Sequence, residues 1–160
     1  MINDSGERRE FTTGAVRDTH DVNGEPKGRC DLMPLQVVAR LLEIRTGDYI
    51  LRAIAAFAEK QETKYLYAAI LSFVPIAFQG KVETMLLEVA KHFEEGAKKY
   101  GENNWQKGIP TNCYLDSAIR HYLKWRRGDK DEAHNRAFVW NLMACIWEVD
   151  HHGKNKEDIA

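Results

Sequence analysis

Four groups of polar residues recur at helical spacing among apolar neighbours, and their types suit metal and phosphate chemistry. Glu94 and Glu95 follow Phe93, with His92 three residues before Glu95 and Glu88 two turns before it. Carboxylates on one helix face can hold Mg²⁺, an oxygen-seeking ion commonly shared with substrate phosphates. Lys98 and Lys99 stand at i+4 from the two glutamates, so a solvated, paired face accounts for them equally well. In the second group, Asp116, Arg120 and Lys124 share a face at i, i+4 and i+8, and His121 follows Arg120. Its plain reading is a surface ion pair. Its functional reading is a guanidinium that grips phosphate beside a histidine that orients water. Asp131, Glu132 and His134 form the third group, at the start of a helix whose dipole favours the two carboxylates. In the fourth, His134, Asn141 and Glu148 recur at spacing seven, a single stripe, with Asn141 between Trp140 and Leu142. An amide there is more often a satisfied core group than a ligand. A carboxylate or imidazole on an inward face still needs a partner or an ion to offset its lost hydration.

Other chemistries lack their signatures. The chain has no glycine-rich phosphate loop, dinucleotide-binding motif, nucleophile elbow or HExxH. Its three cysteines, Cys30, Cys113 and Cys145, show no zinc spacing and cannot all pair, which suits reduced thiols in a cytoplasmic protein. The net charge of -1 argues against a duplex nucleic-acid binder. With 44% hydrophobic and 29% charged residues, the 160-residue chain reads as one globular domain with a real core. Met1 to Phe11 lacks a signal-like apolar stretch. The longest apolar run, Tyr65 to Phe78, is interrupted by Ser72 and Pro75. It falls short of the roughly 18 residues of a membrane span, so no membrane is expected.

The elements that position these groups read as helices. Residues 1–33 carry glycine and charge with little apolar periodicity and form an extended arm packing on the domain. After Pro34 an apolar stripe of Val37, Val38, Leu41 and Leu42 begins a single helical domain over 34–150. Thr46-Gly47-Asp48 breaks the pattern, and Tyr49 to Glu59 restarts it with Ile50, Ile54, Phe57 and Ala58 inside. Residues 63–79 are apolar nearly all round and should be central, with Pro75 kinking the helix or ending it early. Lys81 to Tyr100 follows, with Val82, Leu86, Val89, Phe93 and Tyr100 inside, then a loop over 102–111. A fifth helix from about Cys113 to Arg127 buries Leu115, Ile119 and Tyr122. A sixth, capped by Asp129 or Asp131, ends near Val149. The fold class is all-α, a bundle of about five to six helices, with a polar tail over 151–160 that exposes His151 and His152.

Three segments together resemble a known family. The arm reads Phe11-Thr-Thr-Gly14-Ala-Val-Arg17-Asp18 and then Lys27-Gly-Arg-Cys30-Asp-Leu-Met-Pro34. Glu94-Glu-Gly-Ala-Lys-Lys-Tyr-Gly101 precedes Asn104-Trp105 and Lys107-Gly108. Arg120-His121, Arg127-Gly128, Asp131-Glu132, His134 and Trp140-Asn-Leu142 complete the order. The chain resembles the dATP/dGTP diphosphohydrolase domain family of phages and prophages, itself similar to the all-α MazG-like pyrophosphohydrolases. About 43–80 is less like the short members and reads as an added helical element.

The resemblance implies cleavage of a nucleoside triphosphate, most simply a purine deoxynucleotide, to monophosphate and pyrophosphate. It implies Mg²⁺, with Mn²⁺ as the alternative, held by Glu94, Glu95 and Glu132. His121 or His134 would orient or deprotonate water. Arg17, Lys99 and Arg120 would offset phosphate charge, Tyr100 or Trp105 would stack on the base, and Asn104 would read its edge. It also implies a homo-oligomer, a dimer or tetramer, in the cytoplasm of a bacterium or phage-infected host. The chain departs from the MazG-like pattern at Lys98, where a third acid is expected, and at Asn135, where an aspartate is. His134 and Asn141 are the candidates to replace them. The rival reading is a nucleotide or nucleotide-signal binding protein of phage origin that sequesters without turnover. A third is a helical adaptor without ligand.

Overall fold

The computed structural model describes residues 5–21 and 23–153. Among them are six α-helices: α1 (Leu35–Thr46), α2 (Ile50–Lys60), α3 (Lys64–Ala77), α4 (Val82–Tyr100), α5 (Thr111–Arg127) and α6 (His134–His152). The fold is an all-α bundle with an N-terminal arm. Residues 1–4 of the arm and 154–160 of the expected tail lie outside the described residues.

The arm contains a short antiparallel hairpin, β1 (Arg8–Glu10) and β2 (Val16–Asp18), in the register Arg8 with Asp18 and Glu10 with Val16. Gly14, at φ +82, lets the turn close, and the amide of Phe11 donates to the Ala15 carbonyl at 2.9 Å. Phe11 and Ala15 are buried in the core, which fastens this stretch to the bundle.

Helix boundaries follow local chemistry. The Asp48 carboxylate accepts from the Ile50 amide at 2.9 Å and from Arg126 Nη2 at 2.8 Å, tying the start of α2 to the end of α5. Gly128, at φ +91, ends α5, and its amide bonds the Lys124 and Trp125 carbonyls. α6 begins at His134 with no side-chain cap, so neither Asp129 nor Asp131 caps it. Asp129 instead takes a paired contact from Arg127 (2.7 and 2.5 Å), and Asp131 accepts from His134. The helix also continues past Val149. His151 and His152 are exposed, yet they belong to its last turn and bond Trp147 O and Glu148.

Three inward faces differ from the periodicity. Pro75 lies inside α3, which continues to Ala77; the carbonyl it leaves without a helical partner belongs to Leu71 on an exposed face. α3 buries one side (Leu66, Ala69, Ile70, Phe73 and Val74) and exposes Tyr67, Leu71 and Ile76. The most enclosed helix is α6, not α3, because α3, α4 and α5 all pack on it. α4 packs through Met85, Val89 and His92, leaving Val82 and Leu86 outside, and α1 likewise exposes Val37 and Leu41. Phe73 is the aromatic hub, with ring centroids 4.8 Å from Trp125 and from Phe138 and 5.8 Å from Tyr122. No single helix is long and apolar enough to cross a membrane. α3 and α4 pass that test only as a pair, bent by 102° at their junction.

Candidate functional site

The arm returns across α5 and α6 and is held there by polar contacts. Asn104, in a short 3-10 turn before α5, clamps Val16 on both sides. Its Oδ1 accepts from the Val16 amide at 3.0 Å, and its Nδ2 donates to the Val16 carbonyl at 3.1 Å. Asp18 is enclosed by Lys99 (2.5 Å) and Arg8 (2.6 Å). Arg120 donates to the carbonyls of Lys27 (3.1 Å) and Gly28 (2.6 Å) and to Asp116 (2.5 Å), while Asp116 accepts from the Cys30 amide at 2.6 Å.

Arg17 lies deepest. Its Nη2 donates to Ser117 Oγ at 2.6 Å and to Asn141 Oδ1 at 3.2 Å, and the guanidinium stands 5.3 Å over the Tyr114 ring. Asn141 Nδ2 donates to the Ala137 carbonyl at 2.8 Å, so the amide is filled on both sides. Arg17 Nη1 is buried with no hydrogen-bond partner, and so is Trp140 Nε1. Both residues line a cavity of about 820 Å³ between the arm, α4 and α5. That volume is in the range of small-molecule sites. Orphaned buried donors are uncommon, and a ligand that accepts hydrogen bonds explains them.

His121, Asp131 and Glu132 line the same cavity, and His134 packs against His121. His121 Nδ1 and His134 Nδ1 face one another at 2.9 Å, and Glu132 Oε2 is 3.9 Å from His121 Nδ1. His134 Nε2 contacts Asp131 Oδ1 at 2.7 Å. An ionised carboxylate only accepts, so His134 donates from Nε2 to Asp131. Burial, followed by the neighbouring His134, holds His121 well below the usual histidine range, so it is neutral at pH 7. Burial raises the Asp131 carboxyl, but the His134 hydrogen bond and the Lys124 charge outweigh it and leave it lowered.

The described residues hold two groups of His, Asp and Glu whose ligand atoms come within 4.8 Å of one another. They are His121, Glu132 and His134, and Asp129, Asp131 and His134. The first fits a divalent cation. Its two imidazole nitrogens share a hydrogen bond at 2.9 Å. In the second, Arg127 already engages both Asp129 oxygens.

Other residues singled out in the sequence fall elsewhere. Glu94 belongs to neither group; it is exposed and accepts from Lys98 at 2.7 Å. Glu95 is also outside them, and Arg136 Nη2 donates to its Oε1 at 2.7 Å, with Glu88 at 3.7 Å from the same guanidinium. Lys99, Tyr100 and Trp105 line the cavity, and Trp105 also packs edge-on against Phe93 and Trp147. Sequence reasoning missed Lys27, Ser117 and Trp140. It also took Asp131 for a helix-terminus charge, though its i, i+3 spacing to His134 was a usable signal.

The sequence model of the family described as dATP/dGTP diphosphohydrolase, N-terminal, matches residues 55–159. No curated protein and no solved structure matches the chain. The match runs from within α2 through α6 and contains His121, Glu132 and His134, whereas Arg17 and the arm precede it. On that match, the chain belongs to the dATP/dGTP diphosphohydrolase N-terminal family, whose named activity is that of a hydrolase.

Proposed function

We propose that the protein hydrolyses a purine deoxynucleoside triphosphate between the α- and β-phosphates, releasing the monophosphate and pyrophosphate. The observation that carries this reading is a cavity that joins orphaned cationic and aromatic donors to His121, Asp131 and Glu132, in a member of a diphosphohydrolase family. Arg17 Nη1 supplies a buried donor to the phosphates, held in place because Ser117 and Asn141 fix the other end of the guanidinium. Lys27 and Lys124 line the same cavity. Burial, then Arg120, Arg17 and Lys99, lowers the Lys27 ammonium although much of the side chain is exposed; Asp18 opposes them. A phosphate would relieve that crowding.

Tyr100, Trp105 and Trp140 give the base an aromatic wall, and Asn104 and Arg120 hold the arm that closes the cavity. His121, Glu132 and His134 would hold the divalent cation that diphosphohydrolase chemistry calls for. Bound there, it would neutralise phosphate oxygens and acidify water. Water oxygen bonds to the α-phosphorus as the bridging oxygen departs with pyrophosphate.

The reading includes a homo-oligomer in the cytoplasm. Val37, Leu41 and Ile44, exposed on one face of α1, support the oligomer. The test is a panel of ribo- and deoxynucleoside triphosphates, with and without divalent cation, resolved by ion exchange. Monophosphate and pyrophosphate from dATP or dGTP, only with cation, support the reading. Retention of nucleotide without product would favour sequestration.

A further inference from the structure

We propose that Trp140 determines base specificity: its indole Nε1 donates to the base, and the wall it belongs to admits guanine in preference to adenine. This selectivity rests on the proposed reading, in which a purine deoxynucleotide fills the cavity.

Trp140 lines the cavity, and its Nε1 is a buried donor with no hydrogen-bond partner. Its ring sits in an aromatic niche, with centroids 5.3 Å from His92, 5.7 Å from Phe93 and 6.1 Å from Tyr114. Such a niche suits the flat face of a base better than a hydrated phosphate. Arg17 stands 5.3 Å over the same Tyr114 ring, so the donor for phosphate and the donor for the base flank one side chain. The described residues put no orphaned buried acceptor on this wall. Its two buried amides are committed: Asn104 Oδ1 accepts from the Val16 amide at 3.0 Å, and Asn141 Oδ1 from Arg17 Nη2 at 3.2 Å. Donors without acceptors call for a base edge that only accepts. Guanine presents one, with N7 beside O6, whereas adenine puts an amino group beside N7. Adenine in the same pose turns N–H toward N–H and leaves both unpaired. One acceptor competes with this scheme. Burial, then the Arg136 charge, keeps His92 neutral at pH 7, so its ring carries one donor and one acceptor next to Trp140.

The experiment measures equilibrium binding of the α,β-imido analogues of dGTP, dITP and dATP to the full chain, with divalent cation present. The imido bridge resists cleavage, so affinity is read whether or not the chain turns nucleotides over. The hypoxanthine of dITP keeps O6 and N7 and lacks the 2-amino group of guanine. The dGTP and dITP analogues should bind alike, and the dATP analogue about 10- to 100-fold more weakly. Trp140→Phe keeps an aromatic ring and removes the N–H. It should weaken the first two analogues by about 10-fold and leave the third unchanged. Equal affinity for all three, binding of none, a dITP analogue as weak as that of dATP, or a guanine preference that survives Trp140→Phe overturns the proposal. Tighter binding of the dATP analogue also overturns it, and its loss in His92→Phe would give the base readout to the His92 acceptor. The analogue series on the unsubstituted chain keeps the proposal testable if Trp140→Phe does not fold. Turnover of dGTP is scored separately. Guanine preference without turnover would contradict the hydrolase reading and leave the base subsite standing. Turnover without base preference would do the reverse.

Discussion

Where the arm crosses α5 and α6, polar groups are enclosed and each locks the next: Arg17 with Ser117 and Asn141, Asp131 with His134, Asn104 with Val16. On the faces of α1, α3 and α4 the arrangement is inverted, with Val37, Leu41, Leu71 and Leu87 lying in solvent. Enclosing polar groups is costly unless each is satisfied, and exposing large apolar ones forgoes burial. On the proposed reading the first region serves chemistry and the second association. Substitutions in the two should fail differently, one losing turnover and the other losing assembly.

The largest effect falls on Arg17. Arg17→Ala removes the orphaned donor and leaves Asn141 Oδ1 without its partner. Turnover per substrate bound should fall about 10²- to 10³-fold, as for loss of a preorganised charge-stabilising donor, with oligomer size unchanged. Next, Asn104→Ala strips both polar groups of Val16 of their partner. It should cost about 1–3 kcal/mol, with faster hydrogen exchange in β2 and a raised KM. A third effect is pH-dependent. Burial, then the Arg136 charge, holds His92 down to about 4 from its ordinary 6.5, against the opposing Glu95. The unfolded chain takes up that proton first, so the contribution is complete above pH 6.5 and is lost as pH falls toward 4. Urea unfolding should show about 2 kcal/mol less stability from this group at pH 5 than at pH 7. His92→Gln should flatten that dependence, and His121, also lowered, adds to it in the same sense. Smallest in stability is Leu87→Glu, a change at an exposed position that should stay within about 0.5 kcal/mol. It should nonetheless reduce the mass measured by light scattering while each chain stays folded.

The same division decided what could be read from the chain. The His134, Asn141 and Glu148 stripe was legible because apolar neighbours on both sides fix the phase of α6, and all three residues are buried. Leu115, Ile119 and Tyr122 on α5 were legible for the same reason. α4 was harder: its apolar positions are scattered, and packing selected Met85, Val89 and His92 rather than Val82 and Leu86. That rotation sends Glu94 to solvent and Glu95 to Arg136, which residue types alone could not show. The Arg17 contacts span 100 and 124 residues and exist only once the arm has folded back. Residue types pointed toward phosphate and metal chemistry; the arm's path decided which residues share a cavity.

The most direct test of the central claim is the fate of solvent oxygen. dGTP hydrolysed in ¹⁸O-labelled water and followed by ³¹P resonance should place the label in dGMP, leaving pyrophosphate unlabelled, because water attacks the α-phosphorus. Label in pyrophosphate, or release of inorganic phosphate, would contradict that account of the cavity.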